Sequence, residues 1–212
     1  MDLQFVRLPI CVGDVTLKVA QGHFATSHSH INYLIDVTEQ KSSLHEATAV
    51  AQQLMERYLS KTMVDTILCL DGTRMIGACL AQKMTQAGYL SINEGRDVFV
   101  PQVEMDGEGR LLFRDNTRPM IQDRNVLLLM ASVSTGETAR RSMEGIRYYG
   151  GRVAGIAAIY SGLRDVDGVT VSALFDCFDL ADYQSCPAHD CPLCRCGVPL
   201  DAVVNSFGYS KL

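Results

Sequence analysis

The sequence predicts an α/β fold with a mainly parallel sheet and helices on both of its faces. Two apolar segments, residues 66–70 and 126–129, are continuous rather than alternating, as in parallel strands that are buried on both sides. Each segment is followed by a short loop that contains glycine and then by residues at helical spacing. Because alternating strands and helices build parallel sheets, we expect ligands to bind at the carboxyl ends of these strands.

The first predicted helix spans residues 43–59. Residues 43–46 read Ser-Leu-His-Glu, which is the capping-box pattern. Apolar residues then recur at helical spacing: Leu44, Ala47, Val50, Ala51, Leu54, Met55 and Tyr58. The strand at 66–70 and a turn at 71–74 lead into a second helix, which contains Ala78, Leu80, Ala81 and Met84.

Residues 97–114 predict a β-hairpin. Two extended segments, DVFVPQV and GRLLFR, flank residues 105–109, where an Asp-Gly pair favours a tight turn. Pro101 lies in the first segment and favours an edge position, because proline has no N–H to donate to a neighbouring strand.

The remaining elements continue the α/β alternation. A helix is predicted at 137–149, with Ala139, Met143 and Ile146 on one face and two glycines at its end. Strands are predicted at 153–160 and 169–175. The sequence has no internal repeat and no low-complexity linker.

Composition and charge restrict the class of protein. A chain of 212 residues with 47% hydrophobic residues forms one domain with a substantial core and room for a small appendage. The net charge of −5 argues against a general surface for polyanions, and no DNA-binding motif is evident. Because the start of the chain lacks a signal-peptide pattern and no long apolar run follows, we expect a cytoplasmic protein without a membrane segment.

The loop after the strand at 126–129 predicts a phosphate site. It is rich in hydroxyl groups, and its glycine permits close approach of the backbone to a ligand. The helix that follows would direct its free N–H groups and positive dipole end at an anion. The predicted phosphate-binding residues are Ser132, Val133, Ser134, Thr135, Gly136, Glu137 and Thr138. The alternatives are an ordinary polar strand end and, for Glu137, a residue that only compensates the helix dipole.

These segments together resemble the type I phosphoribosyltransferases. Residues 134–138 read Ser-Thr-Gly-Glu-Thr, like the end of that family's loop for phosphoribosyl diphosphate (PRPP). Residues 70–74 occur where the family has its pyrophosphate-binding loop, and residues 97–114 occur where it has a flexible active-site loop. The segment at 22–36 is similar to the N-terminal hood of orotate phosphoribosyltransferases, so the resemblance covers most of the chain.

The resemblance implies a division of the chain and a reaction. A hood segment would occupy residues 1–36, the α/β core 37–176, and a Cys-rich tail that packs on the core 177–212. The reaction would transfer phosphoribose from PRPP to a nucleobase, with orotate favoured, Mg²⁺ as cofactor and a homodimer as the assembly. The implied diphosphate-binding residues are Asp71, Gly72, Thr73 and Arg74, and the candidate basic groups of the flexible loop are Arg96, Arg110 and Arg114. All four arginines have the alternative of being solvated surface residues.

The sequence also departs from the family in two places. Met130 and Ala131 occupy the positions where the family places two acidic residues that hold the ribose. The predicted hairpin contains no lysine, although the family's flexible loop commonly supplies basic groups to the diphosphate. No catalytic residue is assigned for this reason, and two hypotheses follow: an active transferase, or a non-catalytic module that senses PRPP or a nucleotide.

The Cys-rich tail carries a separate candidate metal site. A Cys-x-x-Cys knuckle is accompanied by further cysteine and histidine residues, a set that suits tetrahedral zinc. We identify Cys186, Cys191 and Cys194 as candidate ligands, with His189 and Cys177 as further members. The alternative is a reduced, structural turn. His23, His28 and His30 are expected to make structural hydrogen bonds rather than to bind metal.

Overall fold

The computed structural model describes residues 3–58, 62–88 and 91–212, without the side chains of residues 9 and 10. Its elements follow in this order: β1 (Phe5–Val12), β2 (Val15–Ala25), β3 (His30–Asp36), α1 (Thr38–Ser42), α2 (Leu44–Met55), β4 (Thr66–Cys69), α3 (Arg74–Thr85), β5 (Glu104–Met105), β6 (Leu111–Leu112), β7 (Asn125–Val133), α4 (Glu137–Tyr148), β8 (Arg152–Ser161), β9 (Asp165–Val166), β10 (Val169–Asp176), β11 (Ser185–Cys186), α5 (Pro192–Arg195), β12 (Ala202–Asn205) and β13 (Gly208–Lys211). Short 3-10 turns lie at Arg118–Met120 and Ala188–Asp190.

The central sheet has five strands in the order β4-β7-β8-β10-β9. The first four strands are parallel, and only the two-residue β9 pairs antiparallel with β10. Leu127 and Leu129 of β7 pack against α2 and α3 on one face, whereas Val126 and Leu128 pack against α4 on the other. Burial on both faces therefore explains the continuous apolar run, and the predicted α/β fold is confirmed.

The helix predicted at 43–59 begins as expected, but its capping box does not form. Ser43 is the N-cap residue of α2, and its side chain makes no capping hydrogen bond. The residues before it form α1, and the Ser43 N–H donates to the carbonyl of Glu39 at 2.9 Å. Ser43 thus ends one helix and begins the next. The predicted final residue, Leu59, lies outside the described residues.

The predicted hairpin forms over a shorter length than expected. Its two strands, β5 and β6, contain two residues each, and the Asp106 side chain accepts hydrogen bonds from the N–H groups of Glu108 and Arg110. The first predicted arm instead runs beside β4, where the carbonyl of Phe99 accepts from the Ile67 N–H at 2.8 Å. Pro101 follows this edge contact.

A second sheet combines the two ends of the chain. It has the order β11-β3-β2-β12-β13, with β1 paired to the free part of β2. β12 lies parallel to β2, so the Cys-rich tail joins the N-terminal sheet as well as contacting the core through Leu180. The sequence predicts only that the tail packs on the core, and pairing of the tail with the N-terminal sheet has no local sequence signal. The boundaries at residues 36 and 176 stay a prediction.

Among the helices that can be described, none combines the length and the apolar character required to cross a bilayer.

Candidate functional site

A cavity lies at the carboxyl end of β7, between the central sheet and the second sheet. Its walls come from the loop between β2 and β3, the segment from β3 into α1, Asp71 after β4, the loop after β7, and the tail. Lining residues include Ser132, Ser134, Thr135, Gly136, Glu137, Thr138, His28, Tyr33, Asp36, Lys41, Asp71, Tyr183, Asn205, Ser206 and Tyr209. The position agrees with the expectation that ligands of parallel sheets bind beyond the strand ends.

The loop after β7 brings all seven predicted phosphate-binding residues to this cavity. Gly136 has φ +77° and is the N-cap residue of α4, which begins at Glu137. Glycine has no side chain to cap this helix, and only a long contact of 3.5 Å joins the Glu137 N–H to the Thr135 hydroxyl. The first N–H groups and the dipole end of α4 are therefore directed toward the loop. The arrangement is that of an anion site at a helix N-terminus.

Two observations explain why glycine occupies position 136. Its left-handed backbone conformation disfavours any residue with a Cβ. A Cβ placed there would also lie 3.1 Å from Leu163 Cδ1 and 3.1 Å from Val166 Cγ2, which pack behind the loop. The loop is therefore held against the core on one side and is open to the cavity on the other.

The Glu137 carboxylate is held by arginines of its own helix. Arg141 Nε and Arg140 Nη1 each donate to it at 2.8 Å, and the hydrogen bond from Arg141 is the largest cause of the lowered pKa of Glu137. The ion pairs leave Glu137 ionised and offset its charge next to the candidate anion site. Arg140 also pairs with Asp167 at 3.1 Å.

Met130 and Ala131 are buried at the end of β7 and line the cavity. A carboxylate from another strand lies beside them: Asp71 Oδ2 accepts from the Ala131 N–H at 3.4 Å. Asp71 follows β4 and adopts φ +53°. Burial raises the pKa of Asp71, and the Ala131 N–H and Lys41 oppose that rise.

Lys41 is a cation in the cavity that sequence reasoning did not identify. Its Nζ donates to the carbonyl of Asp71 at 3.0 Å and to the carbonyl of Ser206 at 2.9 Å. Burial lowers the pKa of Lys41, while the negative charges of Asp71 and Asp36 raise it. Lys41 lies on α1 outside any motif, so only the tertiary structure shows that it reaches the loop at 71–74.

The other predicted diphosphate-binding residues have different surroundings. Thr73 is buried, and its hydroxyl donates to the carbonyls of Leu70 at 2.7 Å and Leu129 at 3.1 Å. Arg74 is exposed at the start of α3. Within the described part of the chain, the cavity lining includes Asp71 but not Gly72, Thr73 or Arg74. Their diphosphate role stays a prediction.

The three arginines assigned to the flexible loop do not line this cavity in the described ranges. Arg110 pairs with Asp106 at 2.7 Å, and Arg114 pairs with Glu104. Arg96 Nη1 lies 3.6 Å from the sulfur of Met63. The pairs at 104–114 belong to exposed side chains, as the surface alternative expects, and the role of all three arginines in binding stays a prediction.

A His/Cys cluster lies outside the cavity lining. It brings His23 of β2 and His30 of β3 to Cys191 and Cys194 of the tail, with their ligand atoms within 4.8 Å of one another. Burial opposes ionisation of the Cys191 thiol, but hydrogen bonds, first from the Cys194 N–H, lower the pKa of Cys191 to about 6. Cys186 is not in this set of four, and its thiol donates to the carbonyl of His30 at 3.8 Å.

The other predicted members of a metal site are exposed. His189 lies 3.3 Å from Asp190, and Cys177 is a free thiol at the surface. The sequence shows both histidines and the Cys-x-x-Cys knuckle, but their separation by more than 160 residues hides their proximity.

No protein-family model matches the chain. The orotate phosphoribosyltransferase of Thermus thermophilus is 37% identical over 102 residues, which are 47% of this chain and 53% of that protein. This chain therefore matches about half the length of the curated relative.

Two solved structures share the fold. The UMP synthase of Leishmania donovani has a TM-score of 0.53 and 18% identity, over 76% of this chain and 34% of the other. An orotate phosphoribosyltransferase of Mycobacterium tuberculosis has a TM-score of 0.51 and 14% identity, over 77% of this chain and 92% of the other.

Proposed function

We propose that this chain, an orotate phosphoribosyltransferase-like protein with the type I phosphoribosyltransferase fold, binds PRPP and transfers its phosphoribosyl group to a nucleobase. The observation that carries the proposal is the loop at 132–138, where hydroxyl groups and the uncapped start of α4 line one cavity. Orotate is the favoured base, because the curated relative is an orotate phosphoribosyltransferase.

The loop at 132–138 would hold the 5-phosphate of the ribose. Ser132, Ser134, Thr135 and Thr138 supply hydroxyl donors in the cavity wall. Attraction by the helix dipole contributes about 0.3–1 kcal/mol, and each charge-assisted hydrogen bond contributes roughly 1.5–3 kcal/mol. A phosphate therefore has enough donors at this loop to fix one end of PRPP.

Lys41 would provide the positive charge for the diphosphate end. Its ammonium group lies over the loop at 71–74. It donates hydrogen bonds there to the backbone carbonyl of Asp71 and, from the tail, to that of Ser206. Those carbonyls fix its position without neutralising it, so its charge stays available to an anionic ligand. This role would compensate for the absence of lysine in the segment at 97–114.

Asp71 would replace the missing acidic pair. Met130 and Ala131 have no carboxylate, but the Asp71 carboxylate lies 3.4 Å from the Ala131 N–H in the same wall. In the proposed reaction the base nitrogen bonds to the anomeric carbon as the bond from that carbon to the diphosphate breaks. The diphosphate leaves with the electron pair, and the base gives its N–H proton to solvent. Asp71 would stabilise the positive charge that develops on the sugar.

Mg²⁺ fits these groups because it prefers oxygen ligands, and the carboxylate of Asp71 and the oxygens of PRPP would hold it. When bound, it would neutralise charge on the leaving diphosphate.

The alternative function is a non-catalytic module that senses PRPP or a nucleotide. The apolar side chains of Met130 and Ala131 favour it, because they cannot hold the ribose hydroxyls. The comparisons do not favour it over transfer.

A titration with PRPP, with and without Mg²⁺, tests both functions, and a panel of orotate, uracil and purine bases follows it. We expect Mg²⁺-dependent binding and release of diphosphate that depends on orotate. Binding without turnover on any base would support the sensor, and absence of PRPP binding would refute both functions.

Three further expectations stand beside this proposal. They are the homodimer, the cytoplasmic location and zinc in the Cys-rich tail. The candidate zinc ligands lie outside the cavity that would bind PRPP, so the zinc expectation stands on separate residues.

A further inference from the structure

Four side chains from the two ends of the chain converge next to the second sheet. His23 and His30 lie on the adjacent strands β2 and β3, and Cys191 and Cys194 flank the first turn of α5. His23 and Cys191 are only 1% and 2% exposed, so two members of this His/Cys cluster are shielded from solvent. None of the four lines the candidate PRPP cavity, and the cluster is independent of the proposed function.

Four of the six distances between the ligand atoms of the cluster match the edges of a metal-centred tetrahedron. A zinc ion with ordinary Zn–N and Zn–S bonds separates two nitrogens by about 3.3 Å and a nitrogen from a sulfur by about 3.6 Å. The distance from His23 Nε2 to His30 Nδ1 is 3.1 Å. The sulfurs lie 3.4 Å (Cys191) and 3.6 Å (Cys194) from His23 Nε2, and Cys194 Sγ lies 3.3 Å from His30 Nδ1.

The surroundings of His23 also orient its ring as a ligand. His23 Nδ1 lies 2.9 Å from the carbonyl of Val198 and donates its proton there, which leaves Nε2 with a free lone pair toward the cluster. A carbonyl acceptor behind a histidine is the usual outer contact of a metal-bound imidazole.

We propose that His23, His30, Cys191 and Cys194 bind one Zn²⁺ ion, which fastens the tail to the N-terminal sheet. The ion takes both sulfurs as thiolates, any thiol proton still bound passes to solvent, and no oxidation state changes. The sequence predicts Cys186 as a ligand together with Cys191 and Cys194. In the ligand set proposed here, His23 and His30 take the place of Cys186. Four nitrogen and sulfur ligands complete the tetrahedron, so the ion has a structural role.

The zinc ion would also position one wall of the cavity. Next to the cluster, the His23 N–H donates to Asp201 Oδ2 at 2.8 Å, and the Asp201 N–H donates to the His23 carbonyl at 2.8 Å. β12 then pairs with β2, and its last residue Asn205 and the following Ser206 line the cavity. Removal of zinc is therefore expected to loosen residues 198–211.

The first experiment measures metal content in the full-length chain, purified without a histidine tag under reducing conditions. We expect one zinc per chain by mass spectrometry. Cobalt, as a substitute, is expected to show the absorption of a tetrahedral site with two thiolates. Absence of stoichiometric zinc, or an octahedral cobalt spectrum, would overturn the proposal.

The second experiment uses ligand and control variants. His23→Gln and Cys194→Ser are expected to lower zinc affinity at least tenfold, whereas Cys186→Ser and His189→Gln are expected to retain zinc. If Cys186→Ser loses the ion while His23→Gln keeps it, the ligand set is wrong.

The variants above could lose zinc because they fail to fold. His30→Cys avoids this problem, because it exchanges one zinc ligand for another instead of removing a ligand. Nδ1 is the ring nitrogen nearer the backbone, so a cysteine sulfur at this position can take its place. We expect one zinc per chain and stronger thiolate-to-cobalt absorption, as for three thiolates. An unchanged cobalt spectrum would show that residue 30 is not a ligand.

Hydrogen exchange tests the structural role. Chelation of zinc in the wild-type chain is expected to speed amide exchange in residues 198–211 and to leave α4 unchanged. Equal exchange with and without zinc would contradict the fastening of the tail.

Discussion

Replacement of Gly136 with alanine is expected to weaken PRPP binding through the shape of the loop rather than through loss of a ligand contact. The residue has φ +77°, which costs a side chain with a Cβ roughly 1–2 kcal/mol. The added Cβ would lie 3.1 Å from both Leu163 and Val166, and overpacking of this kind costs about 1–3 kcal/mol. The combined strain is therefore about 2–5 kcal/mol.

Part of this strain will destabilise the fold, and part will be relieved by movement of the loop away from its binding shape. If half is relieved in this way, the Kd for PRPP rises roughly 5- to 60-fold, at about 1.4 kcal/mol per tenfold change. Calorimetric titration with PRPP and Mg²⁺ measures the change in Kd. Urea unfolding, followed by circular dichroism, measures the loss in free energy of unfolding and shows that the variant is folded.

Gly95→Ala is the matched control. Gly95 also has a left-handed backbone, with φ +66°, but no atom lies within 4 Å of the added Cβ. We expect a loss of about 1 kcal/mol in the free energy of unfolding and an unchanged Kd for PRPP. If folded Gly136→Ala binds PRPP within twofold of the wild type, the loop at 132–138 is not the phosphate site.

Three further predictions concern Lys41, Asp71 and Cys69. Lys41→Met keeps the apolar stem but removes the charge, and it should weaken PRPP binding by about tenfold or more. The control Lys83→Met loses a 2.8 Å hydrogen bond to Gln52 and should leave PRPP affinity unchanged. Equal affinities of the Lys41→Met variant and the wild type by calorimetry would show that Lys41 does not bind PRPP. Asp71→Asn should lower kcat for orotate by about tenfold or more while PRPP still binds. The control Asp123→Asn changes an exposed residue that also has a left-handed backbone, and it should leave kcat unchanged. Steady-state kinetics that show no loss of kcat for Asp71→Asn would exclude the stabilisation of the sugar's positive charge by Asp71. Burial raises the pKa of Cys69 to about 12 from 9.0, so between these values the folded state keeps a proton that the unfolded state loses. The contribution of this group to the free energy of unfolding is therefore complete below pH 9. It falls as the pH rises from 9 to 12, by about 1.4 kcal/mol per pH unit. Urea unfolding across that range should show a smaller decline for Cys69→Ala, and identical declines would contradict the assignment.

The sheet and its central loop were predictable because their signals are local. The continuous apolar run of β7 is visible in the sequence, and it reflects the burial of this strand on both faces. Gly136 at the start of α4 is a second local signal, because glycine readily adopts the left-handed backbone conformation of this turn. The α/β fold is confirmed, and the resemblance to the type I phosphoribosyltransferases is supported by the comparisons.

The predicted capping box shows the limit of local patterns. The Ser-Leu-His-Glu sequence marks the start of α2 correctly, but Ser43 also ends α1 and makes no side-chain cap. A hydrogen bond from its N–H to Glu39 satisfies a group that the capping box would have used. The pattern therefore located the boundary without specifying its bonds.

The sequence by itself determined the order of the main strands and helices between residues 43 and 175, the loop at 132–138 and the absence of acids at 130 and 131. Only the tertiary structure brought Lys41 and Asp71 to that loop and placed His23 and His30 beside Cys191 and Cys194. Local elements follow from backbone geometry and side-chain periodicity over a few residues. Contacts between the two ends of the chain depend on how whole sheets pair, and no short sequence pattern encodes that pairing.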